Sequence, residues 1–470
     1  MPAQLTGLKE ECGVFGIWGH SQASRIAYYA LHSLQHRGQE GAGIVVTDGH
    51  SLQGKKGEGL VTDVFTVGSM AELKGHAAIG HVRYSLGGLD GYENVQPLLF
   101  RSATGSLALC HNGNLLNGGQ LRLELEEQGS IFQTSSDAEV VAHLIRRSRL
   151  PSLKEQVRSA LSLLEGAYAF LLLTEGELIA ALDPRGMRPL ALGRLGKAWV
   201  VASETCAFDI IGAQFEREVL PGELLVIGDQ GIHSELLEPS EGRSLCAMEY
   251  VYFSRPDSNL GGMNVHTARK ELGRELAREC PIKADVVTGV PDSSLSAAIG
   301  YAEELRIPYE MGLIKSRYIG RTFIEPSPSL REQGVKLKLS AVRGVVEGKR
   351  VALVDDSFVR GTTAKRITRL LREAGAQEVH LLISSPPICY PCFYGIDTLS
   401  TEELLAANYG LEEITALVGA DSLHFLSVGG MRKVLGGGLC LACFTGEYPT
   451  EVPEKFEEGK RWQMLTAGRE

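Results

Sequence analysis

The stretch VALVDDSFVRGTT, residues 351–363, runs an apolar strand into two adjacent carboxylates and then into a loop of small and hydroxyl residues. Ligands of an open parallel sheet bind beyond the C-terminal ends of its strands, and Asp355 and Asp356 fall there. Backbone N–H groups at the start of the following helix, with Gly361 and the Thr362 and Thr363 hydroxyls, can hold a phosphate. Two like charges side by side repel unless a cation joins them, and Mg²⁺ shared with a polyphosphate would do so. A solvated helix-capping turn is the plainer alternative. A second group of reactive side chains lies further on: CLAC places Cys440 and Cys443 three apart, YPC supplies Cys392, and Cys246 lies far upstream. Such a set can hold tetrahedral zinc or a [4Fe-4S] cluster, and spacing alone does not choose. A thioredoxin-like pair would need a preceding βαβ strand, which is missing.

These residues must be positioned by a sizeable core. The 470 residues are 44% apolar and 22% charged, enough for two or three domains or one large one. The net charge of -10 gives no reason to expect nucleic acid or an anionic membrane as a partner. No apolar run approaches membrane-spanning length, and the N-terminal residues lack the features of a secretory signal. Nine unevenly spaced cysteines therefore read as reduced thiols of a cytoplasmic protein. Residues 12–240 carry many short strands, with helices expected at 23–34, 137–148 and 153–164, which predicts an α+β domain of layered antiparallel sheets with outer helices. From about residue 265 apolar strands alternate with helices: ADVVTGV precedes Leu295, Ala298, Ile299 and Ala302 on one face, and VALVDD precedes Ile367, Leu370, Leu371 and Ala374. Continuous Val, Ile and Leu runs predict a parallel sheet covered on both faces. The expected division is 1–11 as a leader, 12–240 and 241–470.

The string VALVDDSFVRGTT resembles the ribose-phosphate loop of type I phosphoribosyltransferases. That resemblance implies that Asp355 and Asp356 engage the ribose hydroxyls and magnesium, while Arg360, Gly361, Thr362 and Thr363 cradle the 5-phosphate of phosphoribosyl pyrophosphate. It also implies that Ser293, in PDSS, is associated with the magnesium, and that Arg317 and Arg321, in SRYIGRTF, neutralise the pyrophosphate.

Five motifs in order, CGVFGI, HRGQEGAG, GHVRYS, HNGNL and SSDAE, resemble class II glutamine amidotransferases with an N-terminal catalytic cysteine. Amide hydrolysis needs a nucleophile and a base. If residues 1–11 are removed as a propeptide, Cys12 supplies both a thiol and an α-amine with an ordinary pKa of about 8. Asn112 and the N–H of Gly113, in the turn expected after SLALC, are suited to an oxyanion hole. Arg83 would fix the glutamine α-carboxylate and Asp137 its α-ammonium. The sequence HVRYSLGGLDGY departs from the family pattern, placing Leu86 where a threonine is usual and leaving Ser85 to offer a hydroxyl.

Together the halves resemble the glutamine phosphoribosylpyrophosphate amidotransferase family from Cys12 to about Pro449. CAMEYVYFSRPDS and PCFYGID resemble its iron-sulfur branch, which implies a [4Fe-4S] cluster on Cys246, Cys392, Cys440 and Cys443. Cys389 matches no ligand position, and Cys110, Cys206 and Cys280 read as core or helix residues. The resemblance implies formation of 5-phosphoribosylamine from glutamine and phosphoribosyl pyrophosphate, a homotetramer, and inhibition by purine nucleotides such as AMP and GMP. A catalytically silent nucleotide-binding regulator retaining both folds is the rival; the complete set of Cys12, Arg83, Asn112 and Asp137 argues against it. A glutamine-dependent sugar-phosphate aminotransferase would lack the DDSFVRGTT loop.

Overall fold

A computed structural model describes residues 12–84, 91–103, 105–237, 242–315, 339–396, 398 and 401–452. The first thirteen strands are β1 (Gly13–Trp18), β2 (Gly41–Thr47), β3 (Leu52–Glu58), β4 (Ala77–Arg83), β5 (Leu98–Ser102), β6 (Gly105–Leu115), β7 (Gly166–Leu173), β8 (Glu177–Leu182), β9 (Ala191–Leu195), β10 (Ala198–Ala202), β11 (Gln214–Glu218), β12 (Glu223–Gly228) and β13 (Gly231–Leu236). They form two antiparallel sheets, ordered β11-β9-β10-β1-β4-β2-β3 and β13-β12-β8-β7-β6-β5.

Period-two side-chain alternation decides how these sheets stack. On β1, Val14 and Trp18 join Val45, Ile79, Cys110, Ala169 and Leu171 in the core between the sheets. Phe15 and Ile17 point the other way, onto Ala27 and Leu31 of the Ala23–Ser33 helix and Phe208 of the Cys206–Ile211 helix. The second sheet turns Leu107, Leu109, Phe170 and Leu172 outward onto the Asp137–Arg147 and Leu153–Leu161 helices. Four layers result, helices outside two sheets, as the alternating runs predict. All three expected helices form.

The rest of the chain adds β14 (Leu245–Cys246), the short pair β15 (Asn259–Leu260) and β16 (Met263–Asn264), β17 (Val286–Gly289), the pair β18 (Leu313–Lys315) and β19 (Leu339–Ala341), β20 (Arg350–Asp355), β21 (Glu378–Ile383), β22 (Ser422–Phe425) and β23 (Leu439–Cys440). Strands β17-β20-β21-β22 form the expected parallel sheet. On β20, Ala352 and Val354 face Leu272, Ala298 and Tyr301, whereas Val351 and Leu353 face Ile367, Leu371 and Ile414, so both faces are buried.

One helix face differs from expectation. In the Leu295–Leu305 helix Ala298 and Ala302 of the expected face are buried, together with Ser296, Ala297, Gly300 and Tyr301, while Leu295 and Ile299 are only partly buried. The reason is a close crossing with the Val265–Glu279 helix: a Cβ on Gly273 would lie 1.9 Å from Ala297 O, and one on Gly300 would lie 1.9 Å from Lys270 O. Small residues set that contact, and an apolar periodicity rule does not count them.

Candidate functional site

Cys12 lies immediately before β1, whose Gly13 pairs with Val82 of β4, so Cys12 and Arg83 come to the same edge of the first sheet. Gly13 leaves little room there: a Cβ would stand 2.9 Å from Val82 and 3.3 Å from Arg37. The Cys12 thiol lies 3.5 Å from Tyr84 O, and Arg37 Nε donates to Cys12 O at 3.2 Å. Arg83 is buried, with Nη1 3.4 Å from Gly91 O.

Asn112 and Gly113 are not in a turn. They lie inside β6, opposite Ala169 and Tyr168 of β7. The strand continues through HNGNL because Gly113 takes φ +138°, and a Cβ there would meet Ala167 O at 2.1 Å, so only glycine keeps the ladder closed. Asn112 is 1% exposed, yet among the described residues neither its Nδ2 nor its Oδ1 has a hydrogen-bond partner. A buried amide without a partner costs about 1–3 kcal/mol, which suits a donor reserved for a transient ligand. His81 Nε2 bridges to His111 O at 3.1 Å and ties β4 to β6. Burial holds the His81 imidazole neutral, with its pKa pushed down to about 3.

Asp137 opens the helix that Ser136 caps through Ala138 N. Its carboxylate accepts Leu115 N at 3.0 Å and pairs with His111 Nδ1 at 3.1 Å. Burial opposes its ionisation, but His111 and the backbone donors bring the pKa below the usual range. The side chain retains 24% exposure, so an ammonium can still reach it.

At the end of β20 the two carboxylates are buried, at 8% exposure for Asp355 and 6% for Asp356. Ser294 Oγ donates to Asp355 at 3.0 Å, Ser293 Oγ donates to Asp356, and Ser357 Oγ donates to Asp356 at 2.6 Å. PDSS and DDS thus meet as one oxygen-rich cluster at the ends of β17 and β20. Burial raises the pKa of both acids, and for Asp355 the Asp356 charge adds to it. Gly361, with φ +66°, begins the Thr362–Glu373 helix, and no side chain caps that helix. Arg360 turns aside to pair with Glu403.

The two regions are joined by buried charge that motif reading gave no role. Arg37 Nη1 donates to Glu204 at 2.6 Å, and its Nη2 donates to Glu249 at 2.7 Å. All three side chains have no exposed surface. Glu249 opens a π-helical turn, Glu249–Phe253. From the same segment, Tyr250 O and Ser254 O each accept from Arg269 at 2.7 Å. The buried Arg269 guanidinium favours ionised Asp356. The available signal was a carboxylate inside the apolar run MEYVYF and the arginine of HRGQE, both within quoted motifs.

Strand β14 pairs in parallel with β23, placing Cys246 opposite Cys440. Cys246, Cys392, Cys440 and Cys443 line a single small cavity, together with Met187, Arg188, Tyr394 and Tyr448. Among the described residues no three His, Cys, Asp or Glu side chains are grouped so as to hold a metal ion. Burial pushes the Cys440 thiol up to about 11 and Cys443 well above its ordinary value. Cys389 does not line the cavity; its thiol lies 3.6 Å from Ala406 O. Cys110 and Cys206 are buried in the core, and Cys280 ends the Val265–Glu279 helix.

Arg317, Arg321, Ser85, Leu86 and residues 1–11 lie outside the described residues.

Fold and sites define a glutamine amidotransferase joined to a phosphoribosyltransferase. Residues 81–209 match the glutamine amidotransferase domain family and residues 262–385 the phosphoribosyl transferase domain family. The amidophosphoribosyltransferase of Bacillus subtilis (strain 168) is 65% identical over 460 residues, covering 96% of this chain and 97% of that one. That of Staphylococcus aureus (strain MRSA252) is 51% identical, covering 94% and 92%. The solved B. subtilis glutamine phosphoribosylpyrophosphate amidotransferase, complexed with ADP and GMP, superposes with a TM-score of 0.91 at 64% identity, covering 94% of this chain and 98% of that one. A structure described as the allosteric regulatory enzyme of purine biosynthesis gives 0.92 at 64% identity, covering 95% and 97%. The chain belongs to the amidophosphoribosyltransferase family. It is a glutamine-dependent enzyme that forms 5-phosphoribosylamine, glutamate and pyrophosphate from phosphoribosyl pyrophosphate, glutamine and water, the first step of de novo purine synthesis. Nothing in the comparisons favours a silent regulator.

Proposed function

We propose that the two half-reactions divide between the amidotransferase part, residues 12–240, and the phosphoribosyltransferase part, residues 241–470, after removal of residues 1–11. The Cys12 thiol attacks the glutamine carboxamide carbon, its freed α-amine takes the proton, and Asn112 Nδ2 with Gly113 N–H receives the oxyanion. Arg83 binds the α-carboxylate and Asp137 the α-ammonium. Ammonia leaves, and water then releases glutamate from the thioester. The buried Asn112 amide, without a partner among the described residues, is the observation that carries this assignment.

In the second part Asp355 and Asp356 bind the ribose hydroxyls, and Arg360, Gly361, Thr362 and Thr363 receive the 5-phosphate, with Arg317 and Arg321 assigned to the pyrophosphate. Ammonia attacks C1 and pyrophosphate departs. Ser293, Asp355 and Asp356 offer hard oxygen donors in a buried acidic cluster, which fits Mg²⁺; bound there, it would neutralise diphosphate charge. Passage of ammonia inside the protein keeps it unprotonated and nucleophilic.

For the thiol-lined cavity the proposal is a [4Fe-4S] cluster on Cys246, Cys392, Cys440 and Cys443. What supports the reading is that all four thiols line one cavity, as a cysteine-ligated cluster requires. A homotetramer in the cytoplasm, inhibited by purine nucleotides such as AMP and GMP, completes the reading; a solved relative carries ADP and GMP, and no helix among the described residues is long and apolar enough to cross a membrane.

The division is tested with two variants. Cys12→Ser should abolish glutamine-driven synthesis and retain ammonia-driven synthesis, whereas Asp355→Asn should impair both. Equal loss of both reactions in a folded Cys12→Ser protein contradicts the two-site assignment.

A further inference from the structure

Lys56 projects from β3 and is half-buried. Its Nζ donates to Glu93 O at 3.0 Å and Val95 O at 2.7 Å, and lies 5.2 Å from the centroid of the Tyr92 ring. An ammonium held by two carbonyls and an aromatic face is a built contact, not a solvated surface charge. All three partners belong to one short segment around the Tyr92–Asn94 turn.

That segment is bonded to both ends of the proposed glutamine pocket. Gly91 O faces Arg83 Nη1 at 3.4 Å, on the side assigned to the α-carboxylate. Asn94 Oδ1 accepts Ser135 N at 2.9 Å and Ser135 Oγ at 3.1 Å. Gln96 Oε1 accepts His111 N at 2.7 Å, and Gln96 Nε2 reaches Ser136 Oγ at 3.5 Å. Ser135 and Ser136 lead directly into Asp137, assigned to the α-ammonium, and His111 is the imidazole that pairs with it. Residues 91–96 therefore contact both charge-binding sides of the pocket, and Lys56 bonds that segment to β3 of the first sheet.

We infer that Lys56 is a positioning residue for glutamine, setting affinity for the amino acid through the turn it anchors and without touching the reacting atoms. The inference rests on the assignment of Arg83 and Asp137 as the glutamine-binding pair. Loss of a charged donor shared by two carbonyls should raise the KM for glutamine about tenfold. In Lys56→Met we expect that rise, a glutamine-driven kcat within about twofold of the parent, and an unchanged ammonia-driven rate. Lys56→Arg, which restores a cationic donor, should recover most of the affinity.

Steady-state kinetics with glutamine and with ammonia on the full-length enzyme distinguish the outcomes. An unchanged KM in Lys56→Met overturns the inference. So does a parallel fall of the glutamine- and ammonia-driven rates, which would make Lys56 a stability residue. Arg83→Gln and Asp137→Asn are measured alongside. If they raise KM and Lys56→Met does not, only the role of Lys56 fails; if neither raises KM, the pocket assignment fails and the inference falls with it.

Discussion

Arg37→Met tests the buried network beneath the nucleophile. In the parent, one guanidinium bonds Glu204, makes two contacts to Glu249 at 2.7 and 3.0 Å, and donates to Cys12 O. Without it two fully buried carboxylates remain: Glu204 keeps His36 at 2.7 Å and Ser258 at 2.6 Å, while Glu249 keeps Ser254 at 2.6 Å and has Arg188 at 3.9 Å. Breaking a buried pair from one side costs about 3–5 kcal/mol. With a Tm shift of about 2–4 °C per kcal/mol for a unit of 150–250 residues, the loss is on the order of 6–20 °C. The pH dependence has a definite sign. Burial opposes the Glu204 charge, but His36 and Arg37 hold its folded pKa far below 4.5. The stability it contributes is therefore present above 4.5 and disappears as pH falls through the folded value. The Arg37→Met deficit should be largest near neutrality and narrow on acidification. Thermal unfolding across that range reads it, and paired rate assays should show a glutamine-driven loss of about tenfold, from the missing donor to Cys12 O, with ammonia-driven synthesis retained below the transition. A parent-like melting temperature, or a deficit that widens in acid, refutes the reasoning.

Intact-mass analysis of active enzyme should find Cys12 as the first residue; full activity in a homogeneous chain that retains Met1 removes the α-amine from the mechanism. Anaerobically purified protein should contain about four irons per chain with matching acid-labile sulfide. Cys440→Ser should lose them and unfold more readily while Cys389→Ser retains them, and a single zinc with full activity contradicts the cluster. Because Asp355 and Asp356 have raised folded pKa values, the stability linked to their protonated forms is complete below 3.8 and is lost as pH rises through the folded values. Mg²⁺, which needs them ionised, should therefore raise the melting temperature more at about pH 8 than at about pH 6. Asp356→Asn should abolish that difference, and a Mg²⁺ effect independent of pH counts against the acidic pair as its site.

The sequence was most legible where chemistry and local backbone coincide. DDSFVRGTT is simultaneously a strand end, an acidic pair and a helix start, and the structure places it so. HNGNL was harder. Asn and Gly read as a turn, yet the pairing of β6 with β7 carries the strand through both, because Gly113 alone can take the required φ beside Ala167 O. The Leu295–Leu305 face was only half read, Ala298 and Ala302 being buried but Leu295 and Ile299 only partly, for a related reason: glycine-mediated approach of two helices leaves no apolar periodicity to count. The four cysteines come from segments up to almost two hundred residues apart, and only the pairing of β14 with β23 shows how Cys246 and Cys440 meet.

The motifs flag Arg37 and Glu249 singly but cannot pair them, since an arginine's partner is set by tertiary contact. Their placement nevertheless has a physical consequence. A charge removed from water must be satisfied on every side, so each group in the chain Cys12 O, Arg37, Glu249 is held in one geometry. The same π-helical segment gives Tyr250 O and Ser254 O to Arg269, whose charge favours ionised Asp356. The segment cannot shift toward the nucleophile without stretching charged hydrogen bonds near the acidic pair, and it cannot shift toward the acidic pair without disturbing the carbonyl of Cys12. Hydrophobic packing alone would tolerate sliding between two domains, whereas directional bonds from fully buried arginines do not. If ammonia passes between the two centres as proposed, the fixed register of those centres is the property such a network supplies.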